Sequence, residues 1–237
     1  MTVLIVRLGA LGDIVHAVPV AVALRRAFPG ARIDWVVSAR HREVLDLVPV
    51  LDHRIAINDR RGEDTGLSWR DALRRLRAAR YDVAFDLQGL VKSALVARAS
   101  GARRVIGFTR RYAREPLASL FYTHRHDPGG EGLFARSETR HVVRINLDVL
   151  RSVGVEPGEP EFSLDGQASE EVRAAIGRAG SRFALLNTGA AWPNKRWPAV
   201  RLGELARALQ ARRGLPSIVL WGPSERLLAE EVVRVAE

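Results

Sequence analysis

Short unbroken apolar runs alternate along this chain with longer stretches whose apolar positions recur at helical spacing. The short runs Val3–Arg7, Ile33–Val37, Ile55–Ile57, Val83–Leu87 and Val105–Gly107 are bounded by turn residues and predict buried strands. Between them, helical spacing predicts helices over Ile14–Phe28, Arg40–Leu47, Trp69–Ala79, Leu90–Ala99 and Glu138–Val153. The first ends on Pro29 and Gly30, a usual stop signal. Trp69–Ala79 carries an arginine-rich outer face, and Glu138–Val153 places Val142, Ile145, Val149 and Val153 on one stripe.

The texture then changes. Gly154–Ser169, "GVEPGEPEFSLDGQAS", is rich in glycine, proline and acids, as linkers and domain edges are. A second cycle comes after it: helix Glu170–Ala179, strand Phe183–Asn187, helix Pro198–Arg212, strand Ser217–Trp221 and helix Glu225–Ala236. Strands alternating with helices throughout predict an α/β protein with parallel sheets covered on both faces. Two such runs predict two Rossmann-like domains, residues 1–155 and 156–237. The second run supplies too few strands for a doubly wound domain of usual size, so a fragment is expected.

Composition narrows the chemistry. The 237 residues are 47% hydrophobic and 27% charged, an ordinary globular balance. Without cysteine the chain has no disulfide, thiolate metal ligand or thiol nucleophile. The opening apolar run is too short for a secretory signal, and the charges of Arg7 and Asp13 break any longer one. A net charge of +10 suits an anionic partner: nucleic acid, a lipid surface or a phosphorylated substrate. An arginine-rich codon bias gives the same total, so the clustering of the arginines is the informative part.

The turn "RLGALGD", Arg7–Asp13, comes after the first strand, and ligands of open α/β sheets sit beyond the carboxyl ends of strands. Gly9 and Gly12 are expected to permit positive φ and close approach of a substrate. Their spacing, G-x-x-G-D, is not the dinucleotide fingerprint G-x-G-x-x-G, so NAD and FAD are not indicated. Asp13 at a helix start is favoured in its ionised form and could take a proton from a hydroxyl. An aspartate that merely caps the helix fits the same position. His16 shares its face by helical spacing and is placed to orient a ligand or the base, or to pack as an ordinary helix residue.

Three further segments bear on this choice: "FDLQGLVKSALVA" (Phe85–Ala97), "REPLASLFY" (Arg114–Tyr122) and "KRWP" (Lys195–Pro198). Together with the opening "VLIVRLGALGDIVHAVP" they resemble the bacterial lipopolysaccharide heptosyltransferases, glycosyltransferase family 9, of two-domain GT-B architecture. "DLQGLVKS" and "REPLASLFY" look most like the members that add the first heptose to the Kdo region of the inner core. The resemblance runs in order along essentially the whole chain.

That resemblance implies inverting transfer of L-glycero-D-manno-heptose from ADP-heptose to Kdo2-lipid A, with no cofactor and no metal. The first domain would bind the acceptor and the second the nucleotide sugar. Asp13 matches the family's proposed base. Lys195, with Thr188 and Gly189 at the end of a strand, matches the group that meets the diphosphate, where leaving-group charge needs cations or N–H donors. Glu225 is placed for the ribose hydroxyls or, equally, as a helix-start acid. The anionic acceptor calls for cations at the rim of the first sheet: Arg60, Arg61, Lys92, Arg110, Arg111 and Arg114. Gly9, Gly12, His16 and Gln88 share that rim, and Trp197 is expected in core or interdomain packing. The basic helices would rest on the anionic inner face of the inner membrane, making the protein cytoplasmic and peripheral.

Three rivals stand beside this expectation. One is a member of the same family acting at the second heptose or elsewhere. Another is a nucleic-acid-binding module, disfavoured by sparse aromatics. The last is a nucleotide-sugar-binding fragment without activity. Family members are longer and carry a later Asp-[Ser/Thr]-Gly-x-x-His segment that this chain lacks.

Overall fold

The alternation of apolar runs resolves into two units, Met1–Gly166 and Gln167–Glu237, in a computed structural model that describes residues 1–59, 65–190, 193–222 and 224–237. In the first unit six parallel strands are β1 (Thr2–Val6), β2 (Arg32–Ser38), β3 (His53–Ile57), β4 (Val83–Asp86), β5 (Arg104–Phe108) and β6 (His124–His126). Their order is β3-β2-β1-β4-β5-β6, so β1 is central, with Ile5 level with Trp35 on one side and Phe85 on the other. Among the described residues six α-helices cover them: α1 (Leu11–Val15), α2 (Val18–Ala27), α3 (Arg42–Asp46), α4 (Trp69–Ala78), α5 (Val91–Ala99) and α6 (Val142–Asp148).

Alternation along β1 feeds two cores. Val3 and Ile5 join Ile33, Trp35 and Phe85 beneath α2 and α6. Leu4 and Val6 join Val36, Ile55 and Ala84 beneath α4 and α5. Burial on both faces is why these strands read as continuous apolar runs.

Two predicted helices are shorter than their periodicity suggests. Ile14–Phe28 divides into α1 and α2, with Pro19 in the first turn of α2, the one place in a helix where its missing N–H costs nothing. Glu138–Val153 begins only at Val142, where His141 Nδ1 accepts the Val143 N–H at 3.3 Å, and tightens to a 3-10 turn over Val149–Val153. Glu138 lies outside it, bonded to Arg140 and Tyr112. β6 and the 3-10 turn Pro116–Phe121 were not foreseen, because "HRH" on a sheet edge has no apolar pattern to show.

The acidic segment after Gly154 stays with the first unit. The Asp165 N–H donates to Leu47 O at 2.7 Å, and Arg144–Glu159 and Arg26–Glu161 form ion pairs. The division between units therefore comes after Gly166 rather than residue 155.

The second unit holds α7 (Glu170–Ala179), β7 (Ala184–Asn187), α8 (Ala199–Arg213), β8 (Ser217–Leu220) and α9 (Arg226–Ala236). β7 and β8 pair in parallel, and Leu186 packs with Leu202, Ala206 and Val232 of the helices. Trp197, expected in packing, is 54% exposed: it lies just outside α8, after the 3-10 turn Pro193–Lys195. Among the described residues no helix is long and apolar enough to cross a membrane, and no cluster of His, Asp and Glu could hold a metal ion.

Candidate functional site

From central β1 the sheet grows to β2 and β3 on one side and to β4, β5 and β6 on the other. The turns after β1 and β4 therefore diverge at a topological switch point, where open α/β sheets form their ligand crevice. Asp13 lies after β1 and Gln88 after β4. Gln88 Oε1 joins the two turns by accepting the Leu8 N–H at 2.7 Å.

Gly89 has φ of 69°, and a Cβ there would lie 3.0 Å from the Arg114 backbone N. That close approach brings residues 113–115 onto the rim, secured by Glu115 N–H donating to Gly89 O at 2.9 Å. Arg114 Nη2 then reaches Asp13 Oδ2 at 2.8 Å. On the other side Arg7 Nη2 lies 2.9 Å from the same oxygen, and Arg7 Nη1 donates to Leu87 O. Asp13 is the third residue of α1, not its cap; Ala10 holds the cap position, and its N–H lies 3.4 Å from Oδ2. Among the described residues all three contacts fall on Oδ2 and none on Oδ1.

Partial burial works against ionisation of Asp13, but Arg7 and Arg114 outweigh it and hold the carboxyl below the usual aspartate range. Arg7 is 2% exposed, and burial lowers its own pKa against the pull of Asp13. The arrangement presents an ionised carboxylate at neutral pH with one oxygen clamped. Replacing Arg114 by Gln should therefore move the Asp13 titration midpoint upward, read from its carboxyl carbon shift by NMR. An unchanged midpoint would mean that Arg114 does not govern it.

Beneath the rim Asp86 is fully buried and accepts from Gln88 N–H (2.9 Å), Gly89 N–H (3.2 Å), Ser93 Oγ (2.9 Å) and Tyr122 Oη (2.8 Å). Burial pushes its carboxyl upward despite those donors. This network fixes the β4–α5 turn.

Beside Asp13 lies a cavity of about 190 Å³, lined by Gly9, Ser38, Arg40, His41, Asp59, Gln88 and Arg114 among others. Ser38, Arg40, His41 and Asp59 escaped the sequence because no motif marks them. Their place at the carboxyl ends of β2 and β3 was the available signal. Asp59 accepts from Ser38 Oγ and pairs with Lys92, whose ammonium lies 5.5 Å over the Trp69 ring.

Other predicted residues fall elsewhere. His16 meets His141 edge-on at 5.1 Å and does not line this cavity. Arg111 is held by Asp127 at 2.8 Å on the turn after β5, and Arg110 beside it is exposed. Arg60 and Arg61 lie outside the described residues. Neither Gly9 nor Gly12 adopts positive φ. Gly12 sits within α1 with open space around its would-be Cβ, whereas at Gly9 a Cβ would lie 3.1 Å from His41.

In the second unit Thr188 is buried, and both its N–H (3.2 Å) and its hydroxyl (3.3 Å) donate to Leu220 O, so the hydroxyl is engaged by the fold. Gly189 lies after β7, and a Cβ there would lie 2.1 Å from the Glu225 carboxylate, which accepts the Gly222 N–H at 2.9 Å. Glu225 thus rests on Gly189 at the start of α9. Lys195 closes the exposed 3-10 turn Pro193–Lys195.

Comparison with known proteins places this chain in a family. Residues 69–237 match glycosyltransferase family 9 (heptosyltransferase). Lipopolysaccharide heptosyltransferase 1 of Pseudomonas aeruginosa is 34% identical over 235 residues, which is 94% of this chain and 61% of that protein. The E. coli heptosyltransferase WaaC solved with ADP matches at a TM-score of 0.74 and 29% identity, over 98% of this chain and 71% of that one. WaaC with ADP-2-deoxy-2-fluoro heptose matches at 0.73 and 26%, over 98% and 73%. This chain spans less than two thirds of the length of its Pseudomonas relative. With well over half of its residues matched, it belongs to glycosyltransferase family 9, the heptosyltransferases.

Proposed function

We propose that this chain transfers L-glycero-D-manno-heptose from ADP-heptose to a Kdo hydroxyl of Kdo2-lipid A, with inversion and without a metal. The observation that carries this reading is Asp13, ionised, clamped through Oδ2 and open at Oδ1 beside a cavity at the switch point of the sheet. The acceptor hydroxyl gives its proton to Oδ1 as its oxygen attacks the anomeric carbon. The bond to the diphosphate breaks on the opposite face, its electron pair leaves with ADP, and one displacement inverts the centre. The first unit holds the acceptor and the second the donor.

Charge growing on the departing diphosphate is met by Lys195, joined by the backbone N–H of Gly189 once it leaves Asn187 Oδ1 (3.1 Å), and Glu225 accepts from the ribose hydroxyls. The Thr188 hydroxyl takes part only if it leaves Leu220 O. The exposed arginines of α4, Arg70, Arg74 and Arg77, suit an anionic bilayer surface, each cation contributing about 1 kcal/mol close to it. The acceptor is carried on that surface.

The direct experiment incubates the protein with ADP-heptose and Kdo2-lipid A and monitors ADP release. Release with this acceptor supports the reading; release only with a heptosylated acceptor assigns a later step, and none with either contradicts it. Lys195→Ala should weaken ADP binding about tenfold by calorimetry, the loss of one charge-assisted contact. Unchanged affinity would remove Lys195 from the donor site.

A further inference from the structure

We infer that Arg40, on the turn after β2, selects a sugar acid as acceptor by binding its carboxylate, an inference that rests on the acceptor reading above. β2 is the direct neighbour of β1, so its carboxyl-end turn opens on the same rim as Asp13. Gly9 makes the two turns meet. A Cβ at that position would lie 3.1 Å from His41 Cδ2 and 3.2 Å from Nε2, so glycine lets the ring rest on the β1 turn where a larger residue would push it back by a few tenths of an ångström. The next residue back, Arg40, then lines the cavity that Asp13 and Arg114 also line.

Charge matching explains why this arginine is the selective one. Arg7 and Arg114 are both held by Asp13, and Lys92 is held by Asp59. The Arg40 side chain is exposed, and among the described residues no ion pair or hydrogen bond engages its guanidinium. Arg40 feels Asp59 only through longer-range attraction, with no ion pair or hydrogen bond to it among the described residues, so its guanidinium is left to meet an anionic ligand at the cavity mouth. A planar guanidinium fork pairs bidentately with a carboxylate. In a sugar acid the carboxylate and the reacting hydroxyl belong to one ring, so one cavity can hold the first on Arg40 while the second meets Asp13 Oδ1. A lipid phosphate, carried on another sugar, does not place a hydroxyl there. Arg40 is thus a specificity-determining residue that reads the acid group of the acceptor.

The test compares binding of Kdo and of Kdo methyl ester, which lacks the charge, to the wild-type chain, Arg40→Ala and Arg40→Lys, read by NMR shifts. The wild type should prefer the free acid by about tenfold, one charge-assisted contact. Arg40→Ala should lose that preference and Arg40→Lys keep part of it, while ADP affinity stays unchanged in all three. Arg40→Ala with the full preference intact overturns the inference alone. Failure of the wild type to bind either sugar overturns both the inference and the acceptor reading beneath it.

Discussion

Asp13→Asn should slow heptose transfer by about a hundredfold to ten-thousandfold, the range lost when a general base is removed. Asparagine preserves the volume of the side chain, and its amide oxygen can still face Arg7 and Arg114. It has no oxygen that can take the acceptor proton at neutral pH. Because Asp13 lies in the first unit and Gly189, Lys195 and Glu225 in the second, ADP affinity should stay within about twofold. Single-turnover ADP release and ADP calorimetry read the two quantities separately. A variant keeping most of its rate would move the base elsewhere. A variant losing rate and ADP affinity together would indicate a damaged fold instead.

Gly107→Ala should destabilise the first unit by roughly 2–6 kcal/mol, a large part of the ~5–15 kcal/mol that holds a domain folded. Gly107 is in β5, and a Cβ there would lie 2.3 Å from the Tyr122 ring. The ring has little room to retreat, because it is buried and its hydroxyl is bonded to the buried Asp86 carboxylate at 2.8 Å. Overpacking costs about 1–3 kcal/mol, and a donor pulled from a buried carboxylate about as much again. Tyr122→Phe separates the two parts, since it keeps the ring and removes only the hydroxyl. It should cost about 1–3 kcal/mol in urea unfolding. An unfolding midpoint unchanged in Gly107→Ala would show that Tyr122 moves freely and that Asp86 does not hold the β4–α5 turn in this way.

Strands β1 to β5 of the first sheet were legible because burial on both faces leaves unbroken apolar runs, whereas the polar edge strand β6 was not. Their order was not, because nothing in Val83–Asp86 announces that it lies beside β1 rather than β3. Asp13 was legible from its position after the first strand. The clamp on it was not: Arg7 reads as the last residue of a strand, and its partner Leu87 is 80 residues away along the chain. Gln88 and Arg114 came from the family resemblance, whereas Arg40 and His41 sit in a turn that matches no motif. At Gly9 the expected positive φ is absent. The residue was expected for its backbone freedom, and the structure uses it for the space it leaves His41. Trp197, expected in core or interdomain packing, lies outside α8 in an exposed segment, which excludes the core.

The central claim is that the acceptor sugar meets the free oxygen of an ionised Asp13. The most direct test is the carbon-13 carboxyl signal of Asp13, titrated with pH and then with Kdo. Ionisation with a midpoint below the ordinary aspartate range, and a shift of that signal as Kdo saturates, are the predicted results. A carboxyl that titrates like an exposed aspartate, or that ignores bound Kdo, would contradict the account.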